Sequence, residues 1–225
     1  MSKPRNTVLR FIALLTLSAC SFCLQGAEQN PARWEKEIAA FEAVDRTNPP
    51  PRNAVLFVGS SSVRYWTNLA SDFPELKVIN RGFGGSHVAD STYFADRIIF
   101  PYQPSKIVLY AGDNDIGRGR SPEQVFEDFR TLVERVHAKL PETKIYYLAI
   151  KPSPLRWYLS SQSKDANQRI RRYARFHSNV EFIDVWSPLI KGGSPNPELY
   201  ESDRLHINRK GYELWIPIVR KALEN

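Results

Sequence analysis

Five short apolar segments, separated by stretches with helical patterns, constrain the fold of this sequence more than any other feature. Each is nearly continuous in Val, Ile, Leu, Phe and Tyr, which is typical of strands that are covered on both faces. The predicted strands are Ala54–Val58, Lys77–Asn80, Lys106–Tyr110, Ile145–Ile150 and Val180–Val185. Strand and helix alternate at a spacing that favours parallel pairing. We therefore predict an α/β fold, a three-layer α/β/α sandwich around a five-stranded parallel sheet.

Helix signals occupy the intervals between the predicted strands. Asn30-Pro31 begins a helix, because proline is favoured at the first helical position, and the prolines after Asn48 end it. The clearest helix runs from Ser121 to Leu140, where Ser121 and Gln124 are arranged as a capping box. These helices supply the outer layers of the predicted sandwich.

The composition is that of an ordinary soluble globular domain. Of the 225 residues, 42% are hydrophobic and 24% are charged, which argues against a disordered chain and against many membrane spans. A chain of this length buries roughly 70% of its unfolded surface and needs no disulfide or structural metal. Because no internal repeat or linker divides the chain, residues 28–225 are predicted to form a single domain.

Residues 1–27 have the pattern of a secretory signal peptide. The basic residues Lys3, Arg5 and Arg10 precede the apolar run Phe11–Leu17, which is too short for a stable membrane span. The sequence therefore predicts an exported protein that is periplasmic, secreted or lipid-anchored to the bacterial envelope.

Two ways of processing this segment remain open. Leu17-Ser18-Ala19-Cys20 resembles a bacterial lipobox, in which Cys20 is lipidated and becomes the new N-terminus. Ordinary cleavage near Gly26-Ala27 is the alternative, so membrane anchoring is expected only through a lipidated Cys20. Both cysteines, Cys20 and Cys23, lie in this segment, and no disulfide is predicted in the processed protein.

The net charge is moderately positive. It is +7 for the whole chain and falls to about +4 when the three basic residues of the predicted signal are removed, since no acid precedes Glu28. The densest basic cluster lies on a predicted helix and comprises Arg169, Arg171, Arg172 and Arg175. It is interpreted either as a solvated helix face or as a patch for an anionic surface. No helix-turn-helix, RNP-type or zinc-finger pattern is present, so nucleic acid is not an expected partner.

Polar segments with catalytic potential follow the predicted strands. In an open α/β sheet, ligands bind beyond the carboxyl ends of the strands. Strand one leads into Gly59–Ser62, strand two into Arg81–Ser86 and strand three into Gly112–Asp115. Asp203–His206 lies in the long stretch after strand five, from Trp186 to Asn208, for which no helix or strand is predicted. Segments of that length in a compact domain are usually functional.

These segments hold the groups that acyl transfer from an ester requires. A serine hydroxyl attacks a carbonyl when a base removes its proton, and neutral His206 is suited to that task. Asp203 is able to hold the other imidazole N–H and to stabilise the imidazolium. The developing oxyanion needs fixed donors, for which we expect the backbone N–H groups of Ser61 and Gly85 and the side chain of Asn114.

The same four segments resemble, in the same order, the sequence blocks of the SGNH (GDSL-like) hydrolases. Gly59-Ser60-Ser61 resembles the first block and Asn80–Gly85 the second. Gly112–Asp115 fits the G-x-N-D of the third block, and Asp203–His206 matches the D-x-x-H of the last. The resemblance extends over nearly all of the predicted domain.

The resemblance implies a flavodoxin-like fold and a triad of Ser61, His206 and Asp203. It also implies that Ser61, Gly85 and Asn114 surround the oxyanion. Ser60 stands where the family usually has Asp. Ser60 and Ser62 are therefore the alternative candidates for the nucleophile.

The function expected from this resemblance is that of an exported serine esterase. It would hydrolyse carboxylic esters, with short acyl groups such as acetyl on a carbohydrate or lipid, so the expected partner is a small-molecule or glycan ester. The chemistry needs no cofactor and no metal, and the oligomeric state is left open. Four further residues either line a substrate pocket or serve ordinary packing, namely Arg64, Phe83, Arg156 and Trp157.

Two other classes of function remain alternatives. A non-catalytic module of the cell envelope would keep the fold and bind glycans without hydrolysing them. A phosphate- or nucleotide-binding protein would use Gly82, Gly84 and Gly85 as a cradle. Their spacing does not match G-x-G-x-x-G, however, and no Walker lysine follows them.

Overall fold

The computed structural model describes residues 30–224; the predicted signal peptide with Cys20, and Asn225, lie outside the described residues. The strands are β1 (Val55–Gly59), β2 (Val78–Gly82), β3 (Lys106–Tyr110), β4 (Lys144–Leu148), β5 (Val180–Ile183), β6 (Ile190–Lys191) and β7 (Ser194–Pro195). The helices are α1 (Glu35–Thr47), α2 (Ser61–Arg64), α3 (Leu69–Asp72), α4 (Val88–Tyr93), α5 (Ala95–Ile98), α6 (Asp113–Gly117), α7 (Pro122–Lys139), α8 (Ser160–Ala174) and α9 (Arg209–Leu223). Within the described range, no helix is both long and apolar enough to cross a membrane.

Strands β1 to β5 form one parallel sheet in the order β2-β1-β3-β4-β5, which confirms the predicted five-stranded parallel sheet. This is the flavodoxin-like strand order. The direction in which successive strands are added reverses between β1 and β3. Ligands of such sheets bind in the crevice outside the carboxyl ends of the strands at this switch point.

A hydrophobic core covers each face of the sheet, which confirms the predicted three layers. Leu56 of β1 faces one core, which includes Phe129 of α7. Its neighbour Phe57 faces the other core, which includes Trp66 and, from α9, Trp215. Successive side chains of a strand point to opposite faces, so burial of both faces produces the continuous apolar runs of the sequence.

Strand β4 ends at Leu148, two residues earlier than predicted. The N–H of Ile150 donates to Oδ1 of Asn167 at 2.8 Å, and Nδ2 of Asn167 donates to the carbonyl of Ile150 at 3.0 Å. A buried side chain of α8 therefore takes the hydrogen bonds that a neighbouring strand would otherwise supply. Apolar residues alone do not distinguish a strand from such a buried loop.

Two helical segments begin at the residues predicted from their capping signals. Helix α7 begins at Pro122, and Ser121 and Gln124 exchange side-chain-to-backbone hydrogen bonds at 3.2 and 2.8 Å in the predicted capping box. The helix predicted to start at Pro31 begins there as a 3₁₀ turn, and its α-helical part starts at Glu35.

The stretch from Trp186 to Asn208, predicted to lack regular structure, contains 3₁₀ turns and the small antiparallel pair β6–β7. Near its end, Tyr200 forms a single bridge with Ile207. The N–H of Glu201 also donates to the carbonyl of His206 at 2.8 Å. Such short backbone contacts have no apolar periodicity that would reveal them in the sequence. They hold in place the turn that carries His206.

Candidate active site

Ser61 follows β1 directly, where the chain turns sharply into the short helix α2. Gly59 has a φ of +131°, and a Cβ at this position would lie 2.0 Å from the carbonyl oxygen of Tyr110, so the turn requires glycine. The N–H of Ser60 donates to the same carbonyl at 2.9 Å. Because this bond belongs to the backbone, the turn forms with serine at position 60, where the resembling family usually has Asp.

Of the three consecutive serines in this turn, Ser61 is the one whose hydroxyl contacts His206. Ser60 and Ser62 are buried, with exposures of 1% and 2%, whereas Ser61 is partly exposed. Nε2 of His206 lies 3.0 Å from Oγ of Ser61. The fold thus brings together two side chains that are 145 positions apart in the sequence.

Asp203 continues this series of contacts beyond the imidazole. Its Oδ2 lies 2.5 Å from Nδ1 of His206, and its Oδ1 accepts hydrogen bonds from the N–H groups of Leu205 and His206 at 2.9 and 3.0 Å. Arg204 has a φ of +60°, in the left-handed region that costs a non-glycine residue roughly 1–2 kcal/mol. The hydrogen bonds to Asp203 offset this cost and define the turn.

Asp203 is held as a carboxylate. Burial raises its pKa, but the hydrogen bonds from the His206 ring and from the N–H groups of His206 and Leu205 together outweigh burial and lower the pKa to about 2. A carboxylate only accepts hydrogen bonds, so it keeps the hydrogen of a neutral His206 on Nδ1. Nε2 is then an acceptor that faces the Ser61 hydroxyl, as a general base requires.

Tyr65 supports the imidazole from the side. Its ring meets the ring of His206 edge to face, with the centroids 4.9 Å apart and the planes at 88°. Sequence reasoning does not single out this residue. Tyr65 directly follows α2 and lies four residues, one helical turn, after Ser61. This spacing was the available sign that its side chain lies on the same side as that of Ser61.

The turn at Ser61 and the nearby segment at Gly84 and Gly85 each offer a backbone N–H. The N–H groups of Ser61 and Gly85 have no acceptor within residues 30–224. Gly85 has a φ of +78°, which favours glycine, and a Cβ on its neighbour Gly84 would lie 3.9 Å from Cβ of Ser61. Donors left free next to a nucleophilic hydroxyl suit the negative charge that develops on an ester carbonyl.

Asn114 lies in the first turn of α6 and is 9% exposed. Its Nδ2 donates to the carbonyl of Ser86, next to Gly85, at 3.1 Å. Its Oδ1 accepts from Nη1 of Arg156 at 3.2 Å. The two contacts fix which end of the amide faces the loop of residues 82–86, called the glycine loop below. They leave one N–H of Nδ2 for a ligand.

A buried charged cluster lies behind these groups. Nζ of Lys151 donates to the carbonyl of Leu205 at 2.7 Å and lies 3.4 Å from Oδ2 of Asp113. Arg156 lies 3.0 Å from the other oxygen of Asp113. Burial raises the pKa of Asp113, but Lys151 and Arg156 outweigh burial and lower it. Sequence reasoning gave Lys151 no role, although its place directly after a predicted strand was the available signal.

The candidate pocket residues do not share one location. Phe83 is fully buried against Trp34 and belongs to the core, so packing is the alternative that holds for this residue. Nη1 of Arg64 would lie 3.1 Å from a Cβ on Gly84, which places this cation next to the glycine loop. Trp157 lies farther along, in the 3₁₀ turn that precedes α8.

Asp115 is completely buried beneath the glycine loop. Its Oδ1 accepts from the N–H of Val88 at 3.3 Å, and its Oδ2 has no hydrogen-bond partner in the described part of the chain. Burial raises its pKa to about 7. The side chain therefore connects α6 to the start of α4.

A cavity of about 570 Å³ opens beside His206 and Asp203. One wall includes the ring of Tyr65. Polar side chains also line it, namely Asn68, Glu201, Asn208 and Arg209. A cavity of this size accommodates a small ligand, and its lining combines these polar side chains with the rings of Trp66 and Tyr212.

A hydroxyl, an imidazole and a carboxylate in series, beside free N–H donors at the carboxyl edge of a parallel sheet, are the arrangement found in serine hydrolases. Residues 45–214 match the GDSL-like Lipase/Acylhydrolase family, and this chain belongs to that family. It is therefore an ester hydrolase, and the resemblance inferred from the four sequence blocks is confirmed.

Known proteins are similar to this chain over most of its length. Human platelet-activating factor acetylhydrolase IB subunit alpha1 is 24% identical over 198 residues, which cover 82% of this chain and 80% of the human protein. A GDSL-like lipase from Bacteroides thetaiotaomicron superposes with a TM-score of 0.70 at 21% identity, covering 87% and 97% of the two chains. A catalytic variant of an acetylxylan esterase from Geobacillus stearothermophilus gives 0.63 at 15% identity, covering 76% and 94%. These solved structures support the α/β/α fold.

Proposed function

We propose that this chain is a serine esterase that removes short acyl groups, acetyl above all, from a carbohydrate. Ser61 is the nucleophile, His206 transfers protons, and Asp203 orients and stabilises the imidazole. The observation that carries the proposal is the series of contacts from Ser61 through His206 to Asp203, at 3.0 and 2.5 Å. The first distance is within the reach that proton transfer requires, and the second is that of a short hydrogen bond to a carboxylate, which holds the imidazole in place.

Acylation begins when Nε2 of His206 takes the proton of Ser61 as Oγ attacks the ester carbonyl carbon. The oxyanion of the tetrahedral intermediate accepts hydrogen bonds from the N–H groups of Ser61 and Gly85 and from Asn114, each contributing about 3–4 kcal/mol. The bond from carbon to the leaving alcohol oxygen then breaks. His206 gives its proton to that oxygen, and the acyl group stays on Ser61.

Water completes the reaction. His206 removes a proton from a water molecule while the water oxygen attacks the acyl carbon, and the same donors stabilise the second intermediate. When this intermediate collapses, Oγ of Ser61 leaves and regains a proton from His206. The carboxylic acid is released, and the side chains return to their starting state.

A carbohydrate ester is favoured by the lining of the cavity beside His206. Arg209 is already paired with Asp72 and Glu213, whereas Asn68 and Glu201 offer hydrogen bonds there, next to the ring of Tyr65. Hydroxyl groups satisfy such side chains, whereas an alkyl chain would leave them unpaired. The names of two similar proteins, an acetylhydrolase and an acetylxylan esterase, also favour acetyl as the acyl group.

Labelling with a fluorophosphonate probe tests the nucleophile. Wild-type protein is expected to react, while Ser61→Ala loses labelling and about 10³-fold or more of its ester hydrolysis. Ser62→Ala, which removes a hydroxyl from the same turn, serves as the control and keeps both. Labelling that survives in Ser61→Ala would assign the chemistry to another residue. Folded wild-type protein that is never labelled would instead support a non-catalytic glycan-binding module.

Asp203→Asn tests the orienting carboxylate. By analogy with serine proteases, turnover is expected to fall by up to about 10⁴-fold, since the amide no longer favours the required tautomer. The urea midpoint should stay close to that of the wild type because Asp203 is half-exposed. Glu213→Gln, which removes another exposed carboxylate, should retain full activity. Unchanged turnover in Asp203→Asn would remove this residue from the mechanism.

A substrate series tests the acyl group and its carrier. We expect kcat/KM for p-nitrophenyl esters to fall as the acyl chain lengthens from acetyl. Acetylated xylo-oligosaccharides should be better substrates than an acetylated glycerolipid. A preference for the lipid would place the substrate among lipid esters instead.

We further propose that the protein is exported through the segment 1–27. Its basic start and short apolar run support export, and Leu17-Ser18-Ala19-Cys20 supports lipidation at Cys20. Cell fractionation of Cys20→Ala tests the anchor. Release of the variant from membranes supports lipidation, whereas unchanged fractionation favours ordinary cleavage. Cytoplasmic recovery of the wild type would contradict export itself.

A further inference from the structure

A groove of about 660 Å³ runs along helix α8 at the β5 edge of the sheet. It shares no lining residue with the cavity beside His206. Its α8 wall carries the cationic residues Lys164, Arg171, Arg172 and Arg175. Its opposite wall includes Phe182, Asp184 and Trp186. The groove is therefore a second concave site, lined by cations and aromatic rings.

The arginine cluster of the sequence divides between two surfaces of α8. Arg169 does not line the groove and pairs with Asp165 of the same helix at 3.1 Å. The other three arginines face the groove together with Lys164, because positions separated by three, four or seven residues share one side of a helix. A solvated helix face accounts for Arg169 but not for this row of four cations.

Most of the positive charge in the groove is uncompensated. Arg171 pairs with Asp184 at 3.2 Å. Among residues 30–224, no carboxylate lies within 4.0 Å of the charged groups of Lys164, Arg172 or Arg175. Like charges along one helix face repel each other and destabilise the helix. An anionic ligand in the groove would relieve this repulsion.

Aromatic rings alternate with the cations. Nζ of Lys164 lies 5.6 Å from the rings of both Trp157 and Trp186, whose centroids are 6.1 Å apart with planes at 34°. The guanidinium of Arg171 lies 4.6 Å over the ring of Phe182. Flat apolar surfaces between positive charges fit a ligand that itself alternates apolar faces and acidic groups.

We propose that this groove binds an acidic polysaccharide, a chain of sugar units bearing carboxylate groups. Guanidinium groups pair well with carboxylates, and aromatic rings pack against the apolar faces of sugar rings. The cations from Lys164 to Arg175 extend over about 17 Å along the helix axis, which fits an extended chain better than a single anion. The concave shape does not fit a flat bilayer.

The position of the groove connects it with the catalytic edge. Trp186 lines the groove and its ring lies 6.1 Å from that of Trp157, which directly follows Arg156, the residue that contacts Asn114. A polymer held along α8 therefore leads toward Ser61. Binding in the groove does not depend on the proposed ester hydrolysis, so the two proposals are tested separately.

Affinity electrophoresis in gels containing polygalacturonate tests the groove. Retardation of the wild type is expected at low ionic strength. A triple variant, Lys164→Gln with Arg172→Gln and Arg175→Gln, should bind about 10-fold more weakly, as three exposed charge contacts of about 0.5 kcal/mol predict. Its hydrolysis of p-nitrophenyl acetate should equal that of the wild type, which shows that it is folded.

A matched control removes the same charge elsewhere, at three exposed cations that form no ion pair with any other residue of the described chain: Lys36→Gln, Arg52→Gln and Lys210→Gln. It should bind within about two-fold of the wild type, as should Ser61→Ala, in which hydrolysis is lost but the groove is intact. An unretarded wild type would overturn the proposal. Equal losses of affinity in both triple variants would also overturn the proposal, since net charge would then explain the binding. Tighter, groove-dependent binding to phosphatidylglycerol vesicles would identify a membrane site instead.

Discussion

The ammonium group of Lys151 donates a hydrogen bond of 2.7 Å to the carbonyl of Leu205, the residue that precedes His206. The same ammonium lies 3.4 Å from Asp113, the residue that precedes Asn114. Lys151 is itself buried, at 2% exposure. It therefore connects the loop of the proposed base with the helix of the proposed oxyanion amide, and its loss should displace both.

Replacing Lys151 with Met is expected to lower kcat by about 10- to 100-fold, because small displacements of reacting groups have effects of this size. Unfolding free energy should fall by about 3 kcal/mol, since Asp113 is left as a buried carboxylate with one partner fewer. Both are measured with p-nitrophenyl acetate and urea denaturation. Lys106→Met is the control, because Lys106 also donates to a backbone carbonyl, that of Leu223, but from the other end of the sheet. Lys106→Met should lower stability and leave kcat unchanged. A normal kcat in Lys151→Met would contradict the positioning role of Lys151.

Arg156 is expected to act through Asn114. Arg156→Met removes the donor that holds Oδ1 of Asn114, so kcat/KM should fall about 10-fold, while Asn114→Ala should lower it by about 10²- to 10³-fold. In the Asn114→Ala background, Arg156→Met should then have little further effect. A double-mutant cycle of kcat/KM values checks this coupling. Additive losses would show that Arg156 acts on the substrate or on another group.

Alanine substitutions at Gly85 and Gly119 are expected to separate the effect of backbone strain from the loss of function. Both have a positive φ, +78° and +84°, so alanine should cost about 1–2 kcal/mol of stability at either position. A Cβ on Gly85 would also lie 3.3 Å from Cη2 of Trp34. A Cβ on Gly119 would have no atom of another described residue within 4 Å, apart from its chain neighbours. Gly85→Ala should additionally lower kcat about 10-fold or more, because its N–H is a proposed oxyanion donor. Thermal melts and kcat values for both variants measure the two effects, and equal kcat values would exclude Gly85 from the oxyanion site.

Asp115 should make stability depend on pH. Its pKa rises from 3.8 to about 7 on folding because of burial, so the folded protein keeps a proton that the unfolded chain releases between about pH 4 and 7. Stability therefore decreases as pH rises through this window and changes no further above it. Asp115→Asn, which stays neutral, should gain on the order of 2–4 kcal/mol relative to wild type between pH 4 and 7.5. Urea denaturation at both pH values provides the comparison, and a constant difference would show that Asp115 ionises normally.

Residues close together in the sequence were enough to predict much of this protein. Apolar runs indicated all five strands of the main sheet, and the capping box of Ser121 and Gln124 located the start of α7. The glycine turn after β1 and the Asp203–His206 pair were also visible, because each is a local pattern, the first directly after a predicted strand and the second in the long segment after the last strand. Their order along the chain was sufficient to suggest the hydrolase family.

Tertiary structure decided which of these groups meet and what supports them. The strand order brings Ser61 to His206 across 145 positions, and no local pattern encodes that distance. Lys151 directly follows a predicted strand and Tyr65 lies four residues after Ser61, but neither position specifies a contact with the His206 loop, which forms only when the loops pack together. Local sequence determined the elements and the reactive groups because backbone propensity and capping act between near neighbours. Side-chain contacts between distant elements depend on the packing of the whole sheet, so only the folded structure specifies them.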